Sequence, residues 1–98
     1  MAVSKVTIRY FGMLRDIVGK RSETLSIDDG STTMDLLRRI SSEHGKRFQD
    51  FVFESDGKIR SGLAFAINGI SVDRSSITKT ACKDVEEFVI LPPISGGD

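Results

Sequence analysis

The sequence predicts an α+β domain in which one main helix packs across a mixed sheet of four to five strands. Three observations favour this class. Short apolar segments typical of strands occur near both ends of the chain. One longer segment between them has apolar residues at helical spacing, and an Asn-Gly pair separates two further apolar segments, as in a hairpin. Strands and a helix in this order predict a helix laid across one sheet.

The first elements are predicted from the spacing of apolar residues. Val6, Ile8 and Tyr10 alternate with their neighbours along the chain, and residues two apart lie on one face of a strand. Met13–Val18 then predicts a short helical turn, ended by a glycine. Residues 22–27 predict a second strand, which an Asp-Asp-Gly cluster ends.

The main helix is predicted to begin after Ser31 or Thr32 and to end at Gly45. Asp35 has the spacing that closes a capping box, with Asp in place of the preferred Glu or Gln. The apolar face has residues at intervals of three and four. It comprises Met34, Leu37, Ile40 and His44, with Leu36 beside them. His44 is interpreted as a helix-end residue rather than as a metal ligand or a base.

The second half of the chain contains an aromatic cluster, a long loop and a hairpin. The cluster consists of Phe48, Phe51, Val52 and Phe53. Its pattern does not decide between helix and strand. Residues 54–62 predict the longest loop. Asn68-Gly69 predicts a type I′ turn between strands at residues 63–67 and Ile70–Val72, because both central positions need a positive φ.

The last strand is predicted from the continuous apolar run at residues 88–91. Such a run is typical of a strand that is buried on both faces and has a parallel neighbour. We therefore expect it in the middle of the sheet. Pro92 and Pro93 end it, because proline has no N–H to donate to a neighbouring strand.

Composition excludes several classes of protein. The 98 residues carry 14 Lys and Arg against 14 Asp and Glu, so we expect no nucleic-acid partner, which would need an excess of cations on one surface. No apolar stretch approaches the roughly 20 residues that span a bilayer, and the first residues lack the apolar run of a signal peptide. We therefore expect no membrane partner and a cytoplasmic location.

The one cysteine, Cys82, cannot form an internal disulfide or a zinc site. A chain this short leaves no room for a deep active site, so a self-sufficient enzyme is not expected.

Residues 1–93 are predicted to form the folded domain, followed by a flexible tail at residues 94–98. The tail contains Gly96 and Gly97 and then one further residue, Asp98. A Pro-Pro pair followed by two glycines makes a narrow strip that can enter a channel closed to any β-carbon. The alternative is that the glycines are simply a disordered terminus.

Four motifs follow one another along nearly the whole chain. They are Arg-Tyr-Phe-Gly-Met-Leu-Arg-Asp-Ile-Val-Gly at residues 9–19, Asp-Gly-Ser-Thr-Thr-Met-Asp-Leu-Leu at 29–37, Ala-Ile-Asn-Gly at 66–69, and Val-Ile-Leu-Pro-Pro-Ile-Ser-Gly-Gly at 89–97. In this order they resemble the ThiS/MoaD family of small sulfur carriers, most closely the small subunit of molybdopterin synthase. The resemblance implies a ubiquitin-like β-grasp fold.

The resemblance also implies that the chain is a substrate of other enzymes. In this family a ubiquitin-activating-like adenylyltransferase uses ATP to adenylate the terminal glycine carboxylate, and a sulfur donor converts the adenylate to a thiocarboxylate. Gly97 matches the reactive glycine and Gly96 the one before it. In molybdopterin synthase the charged tail enters the large subunit and its sulfur is transferred to the pterin precursor, which builds the dithiolene that holds molybdenum or tungsten. The carrier itself is expected to bind no cofactor and no metal, since ATP is used by the activating enzyme.

Three apolar residues are implied to bind partner proteins. Phe11 and Leu91 fall at matching motif positions, and Ile70 is a further match after the hairpin. Exposed apolar patches usually mark interfaces. Ordinary core packing is the alternative for each of the three.

Two departures from the family pattern leave other functions open. The usual Asp-Gly-Asp-Glu turn is here Asp84-Val85-Glu86-Glu87, and valine resists the positive φ that glycine permits. Asp98 follows Gly97, so we expect a protease to remove it before activation. The alternatives are a ubiquitin-like modifier joined through Gly97 to lysines of target proteins, and a non-activated β-grasp interaction module in which Asp98 blocks the tail.

Overall fold

The computed structural model describes residues 2–92, which form a five-stranded mixed sheet with helices. The strands are β1 (Val3–Tyr10), β2 (Ser22–Asp28), β3 (Ala64–Ile67), β4 (Ile70–Val72) and β5 (Glu87–Leu91). They lie in the order β2-β1-β5-β3-β4. β5 runs parallel to β1, and the other neighbouring pairs are antiparallel. The predicted α+β class and the central, partly parallel place of the last strand are therefore confirmed.

Helices occupy the connections between the strands. They are α1 (Met13–Val18), α2 (Thr33–His44), α3 (Lys46–Val52), α4 (Arg74–Ile77) and a 3-10 turn at Cys82–Asp84. None of the helices within residues 2–92 has both the length and the apolarity to cross a bilayer.

The main helix, α2, begins at the predicted capping box. The Thr32 hydroxyl accepts a hydrogen bond from the Asp35 N–H (3.2 Å), and the Asp35 carboxylate accepts one from the Thr32 N–H (3.0 Å). Two N–H groups that the helix leaves without partners are thereby satisfied, and such a cap contributes about 1 kcal/mol. Asp therefore serves in this box in place of Glu or Gln.

Three residues of the aromatic cluster that the pattern left undecided lie in the helix α3, and Phe53 follows it in an extended conformation. The helix α3 follows α2 directly, because Gly45 has φ +91° and turns the chain between the two helices. Phe48 and Val52 are fully buried, whereas Phe51 and Phe53 pack at the edge of the core. The helical spacing of Phe48 and Val52 accounts for their common burial.

The core lies on one face of the sheet. Its buried side chains come from β1, β3 and β5 on one side and from α2 on the other. They include Val6, Ile8, Tyr10, Leu36, Leu37, Ile40, Phe65, Phe88 and Ile90. The rings of Phe65 and Phe88 stack with their centroids 5.7 Å apart. Full burial of each such side chain stabilises the fold by about 1.5–3 kcal/mol.

The prediction that the last strand is buried on both faces is wrong. Phe88 and Ile90 are fully buried, but Val89 is only half-buried and Leu91 is 36% exposed. A central strand has neighbours at both edges, yet its side chains still alternate between the two faces of the sheet. Only the face that carries Phe88 and Ile90 belongs to the core. We call the opposite face the outer face.

Candidate functional site

The outer face carries apolar residues at its centre. Val89 lies opposite Arg9 of β1 and Ala66 of β3. Leu91 lies opposite Ala64 of β3. Directly opposite residues share a face of the sheet, so the two alanines, Val89 and Leu91 form one surface, which we call the apolar strip. The methyl groups of the alanines are short, which leaves the two larger side chains raised above the surface.

Phe11 continues the apolar strip at the end of β1. Tyr10 is paired in parallel with Ile90, and one residue further along each strand come Phe11 and Leu91. Phe11 is 42% exposed, so the structure brings these two predicted partner-binding residues to neighbouring positions, both accessible. Met13 is also exposed, at 51%. Its place two residues after Phe11 in the first motif is the only sequence signal for it.

Ile70 lies elsewhere. It is paired with Ile67, which is buried in the core, and cross-strand partners share a face. Ile70 therefore belongs to the core side of the sheet, on the edge strand β4, where it is 68% exposed. The structure does not bring it together with Phe11 and Leu91. The partner-binding role of all three residues stays a prediction.

A charged pair borders the apolar strip. Arg9 Nε lies 2.6 Å from Glu87 Oε2, and both side chains are partly exposed. An exposed pair of this kind contributes about 0–1 kcal/mol to stability. An apolar centre with a polar rim is the usual anatomy of a protein–protein interface.

The chain leaves the sheet beside the turn that starts α1. A Cβ built on Gly12 would lie 3.0 Å from Pro92 Cγ, a tight contact, and the φ of +57° at Gly12 favours glycine. Pro92 is the last residue that the structure describes. Gly96 and Gly97, the predicted reactive positions, lie outside the described residues, as does the predicted domain boundary at residue 93.

The Asn68 side chain holds the start of β5. Its amide nitrogen donates to the Asp84 carbonyl (2.9 Å), and its oxygen accepts from the N–H groups of Glu86 (2.8 Å) and Glu87 (3.0 Å). Val85 is extended at φ −116° and almost fully buried. The departure from the family turn therefore needs no positive φ at Val85. The sequence analysis used Asn68 only as a turn residue.

A polar cluster lies on the core side of the sheet, at the end of β1. The Tyr10 hydroxyl donates to Glu23 Oε2 (2.5 Å), and His44 Nε2 lies 2.5 Å from the same oxygen. Burial, followed by the bond to Glu23, raises the pKa of Tyr10 above its ordinary value of 10.0. Burial alone would raise the pKa of Glu23, but the contacts with Tyr10 and His44 hold it below its ordinary value of 4.5. The cluster joins β1, β2 and the end of α2.

Cys82 lies in the core, where its thiol donates to the Thr32 carbonyl (3.3 Å). Burial, with a smaller effect of Asp35, raises the pKa of this thiol to about 11. A thiol that stays protonated is a poor nucleophile. Within residues 2–92 there is also no cluster of three or more His, Cys, Asp or Glu side chains that could hold a metal ion.

Comparison with known proteins identifies the family. The model described as the ThiS family matches residues 8–97, nearly the whole chain. The chain belongs to the ThiS family. The match includes Gly96 and Gly97 and ends before Asp98.

Individual relatives of this ThiS-family chain cover almost its full length. The molybdopterin synthase sulfur carrier subunit of Chlamydomonas reinhardtii is 32% identical over 93 residues, which are 95% of this chain and 99% of the relative. Small archaeal modifier protein 3 of Haloferax volcanii is 27% identical over the same length and with the same shares. Among solved structures, SAMP1 from Haloferax volcanii has a TM-score of 0.80 at 23% identity and covers 96% of this chain and 100% of that chain. The predicted ubiquitin-like β-grasp fold is confirmed.

Proposed function

We propose that this ThiS-family chain is a sulfur carrier whose Gly97 is adenylated and thiocarboxylated to donate sulfur in the biosynthesis of molybdopterin. The proposal is supported by the family match, which extends through Gly97, and by the relative from Chlamydomonas reinhardtii that is named as such a carrier. The chain is then the small, sulfur-carrying subunit of molybdopterin synthase, and the chemistry is performed by its partners.

The proposed reaction needs a free carboxylate on Gly97. One carboxylate oxygen attacks the α-phosphorus of ATP, and pyrophosphate leaves with the electrons of the broken P–O bond. Hydrosulfide, or a donor equivalent to it, then attacks the acyl carbon and AMP leaves, which produces the thiocarboxylate and a proton. ATP binds to the adenylyltransferase, and the carrier itself holds no cofactor. Glycine suits this position because it lets the backbone enter a narrow channel.

The observation in the structure that best supports this function is the position of the apolar strip beside the strand that leads into the tail. Leu91 is the last residue of β5, and Phe11 lies next to it. A partner bound to the strip would therefore hold its active site close to where the chain leaves the sheet. We propose that the large subunit of molybdopterin synthase docks here, with Phe11 and Leu91 buried and Ile70 as a second contact on the edge strand.

Asp98 makes processing part of the proposal. Wherever Asp98 follows Gly97, the Gly97 carboxyl is held in a peptide bond and offers no oxygen to ATP. We propose that a protease cuts after Gly97 before activation. A non-activated β-grasp interaction module remains the alternative if this cut does not occur in the cell.

A second function is supported by a different relative. Small archaeal modifier protein 3 is 27% identical to this chain, and a ubiquitin-like modifier would use the same activated Gly97. The difference lies in the nucleophile that takes the acyl group, which is a sulfur donor for the carrier and a lysine amine for the modifier.

Mass spectrometry of the protein from its native cells tests both functions. A carrier is expected to show a fraction that ends at Gly97 and is heavier by the difference between sulfur and oxygen. A modifier is expected to appear as conjugates with an isopeptide bond from Gly97 to lysine. In a purified system, the chain ending at Gly97 should release pyrophosphate from ATP with the adenylyltransferase, whereas the chain that retains Asp98 should not. Adenylation of the chain with Asp98 at the same rate would contradict the need for processing.

A further inference from the structure

Gly12 holds a backbone conformation that few residues share. It lies between Phe11 and the first residue of α1, with φ +57° and ψ −131°. Its carbonyl accepts hydrogen bonds from the N–H groups of Arg15 (3.1 Å) and Asp16 (3.4 Å), which fix the first turn of the helix. Residues with a side chain rarely adopt this conformation.

Gly12 also forms the surface against which Pro92 packs. A Cβ at Gly12 would lie 3.0 Å from Pro92 Cγ and 4.0 Å from Pro92 Cδ. The shorter distance is tighter than an ordinary van der Waals contact, so a Cβ here would require the proline ring or the turn to shift by a few tenths of an ångström. β1 and β5 run parallel, so their C-terminal ends lie at the same end of the sheet. The approach of Gly12 and Pro92 follows from this topology, because each residue comes just after one of these strands.

We propose that Gly12 is a positioning residue, which sets the direction in which the chain leaves the sheet at Pro92 and so carries the Gly97 carboxylate to a partner's active site. The inference rests on the proposed function, because it assumes that the tail acts inside a partner. Gly97 lies five positions after Pro92, a span of at most about 18 Å.

Gly45 provides a matched control. It too begins a helix, α3, with φ +91° and ψ −172°, a region that favours glycine. A Cβ at Gly45 would have nothing within 4 Å. Gly45→Ala therefore strains the backbone at a helix start without a side-chain collision. Gly12→Ala strains the backbone at a helix start and also brings the new Cβ against Pro92.

The test measures adenylation of the chain ending at Gly97 by its adenylyltransferase. We expect Gly12→Ala to raise KM about tenfold relative to Gly45→Ala, with a smaller change in kcat, because a tail that starts in another direction must be redirected when it binds, which weakens binding. Circular dichroism and thermal unfolding establish that both variants fold. In a Pro92→Ala background, where no Cγ is present, Gly12→Ala should have no larger effect than Gly45→Ala.

Two results would overturn the role of Gly12: equal KM values for Gly12→Ala and Gly45→Ala, or an effect of Gly12→Ala that is the same with and without the Pro92 ring. If Gly12→Ala does not fold, the single variant Pro92→Ala tests the proposal. Loss of the pyrrolidine ring should raise the KM for adenylation, and an unchanged KM would contradict the proposal. Failure of the unsubstituted chain to be adenylated would instead contradict the proposed function. In that case nuclear Overhauser contacts between Gly12 Hα and the Pro92 ring, lost in Gly12→Ala and kept in Gly45→Ala, test the positioning by itself.

Discussion

The two faces of β5 have similar side chains and different surroundings. Phe88 and Ile90 close the core, whereas Val89 and Leu91 lie on the outer face and Leu91 is 36% exposed. Hydrophobicity does not separate the two pairs. The two pairs differ because the helices cover only one face of the sheet. An apolar run in one strand can therefore combine a face that stabilises the core with a face that stays accessible.

Truncation of a core residue should have the largest effect on stability. Phe88→Ala is expected to lower the free energy of unfolding by about 3–5 kcal/mol, because the stacked contact with Phe65 is lost and a cavity remains. Urea denaturation measures the change. Val89→Ala, one residue further on the opposite face, should cost about 1 kcal/mol or less. Equal losses for the two variants would contradict the division of β5 into two faces.

The division also depends on the register of β5, since a shift by one residue would exchange its faces. Asn68→Gly permits the positive φ of 52° and removes the three hydrogen bonds to the segment before β5. We expect a loss of about 1–3 kcal/mol and faster amide hydrogen exchange at Glu86 and Glu87. Asn68→Asp keeps the oxygen that accepts from both N–H groups and should lose less. A glycine variant as stable and as protected as the unsubstituted chain would contradict this role.

Glu23 is a half-buried carboxylate on the core side of the sheet, and its effect on stability depends on pH. Its pKa is lower in the fold than its ordinary value of 4.5, so the unfolded chain binds a proton at a pH where the folded chain does not. The stabilisation is therefore present above about pH 4.5 and is lost as the pH falls through the folded pKa. Urea denaturation at several pH values between about 3 and 6 should show a smaller pH dependence in Glu23→Gln. An identical dependence in both proteins would show that Glu23 does not contribute.

Leu91→Lys should have the smallest effect on stability and a clear effect on binding. Its position on the outer face allows the lysine ammonium to remain in water, so we expect a change within about 0.5 kcal/mol. Binding to the proposed large subunit should weaken by about 2 kcal/mol or more, because a buried charge would lack a partner. Titration calorimetry measures the affinity. Ile90→Lys, at the adjacent buried position, is the control that should fail to fold.

Unchanged affinity in a folded Leu91→Lys variant would show that the apolar strip is not the docking surface. The Gly-Gly tail could still be activated in that case, because adenylation depends on Gly97.

Local features of the sequence were sufficient for several elements. Thr32 and Asp35 predict the start of α2, and Asn68-Gly69 predicts the hairpin of β3 and β4, because both signals depend on residues only a few positions apart. The alternation in β1 likewise predicts its buried face. The aromatic cluster was ambiguous, because a short apolar run suits a helix as well as a buried strand.

Features that join distant parts of the chain were missed. The bonds from Asn68 to the segment at residues 84–87 and the contact of Glu23 with His44 span 16 to 21 residues, and no local pattern indicates them. No local pattern indicates that Ile70 lies apart from Phe11 and Leu91 either. This separation follows from the pairing of Ile70 with Ile67, which places Ile70 on the core side of the sheet.

The chain's own residue pattern is enough to establish the α+β class, the family and the Gly-Gly pair, because these depend on residue types in order along the chain. The tertiary structure decides which apolar residues remain exposed and that Pro92 packs against Gly12. The physical reason is that exposure and close approach depend on which surfaces face each other after folding. Parallel pairing of β1 with β5 joins residues about 80 positions apart, and only the folded chain reveals that Pro92 lies beside Gly12.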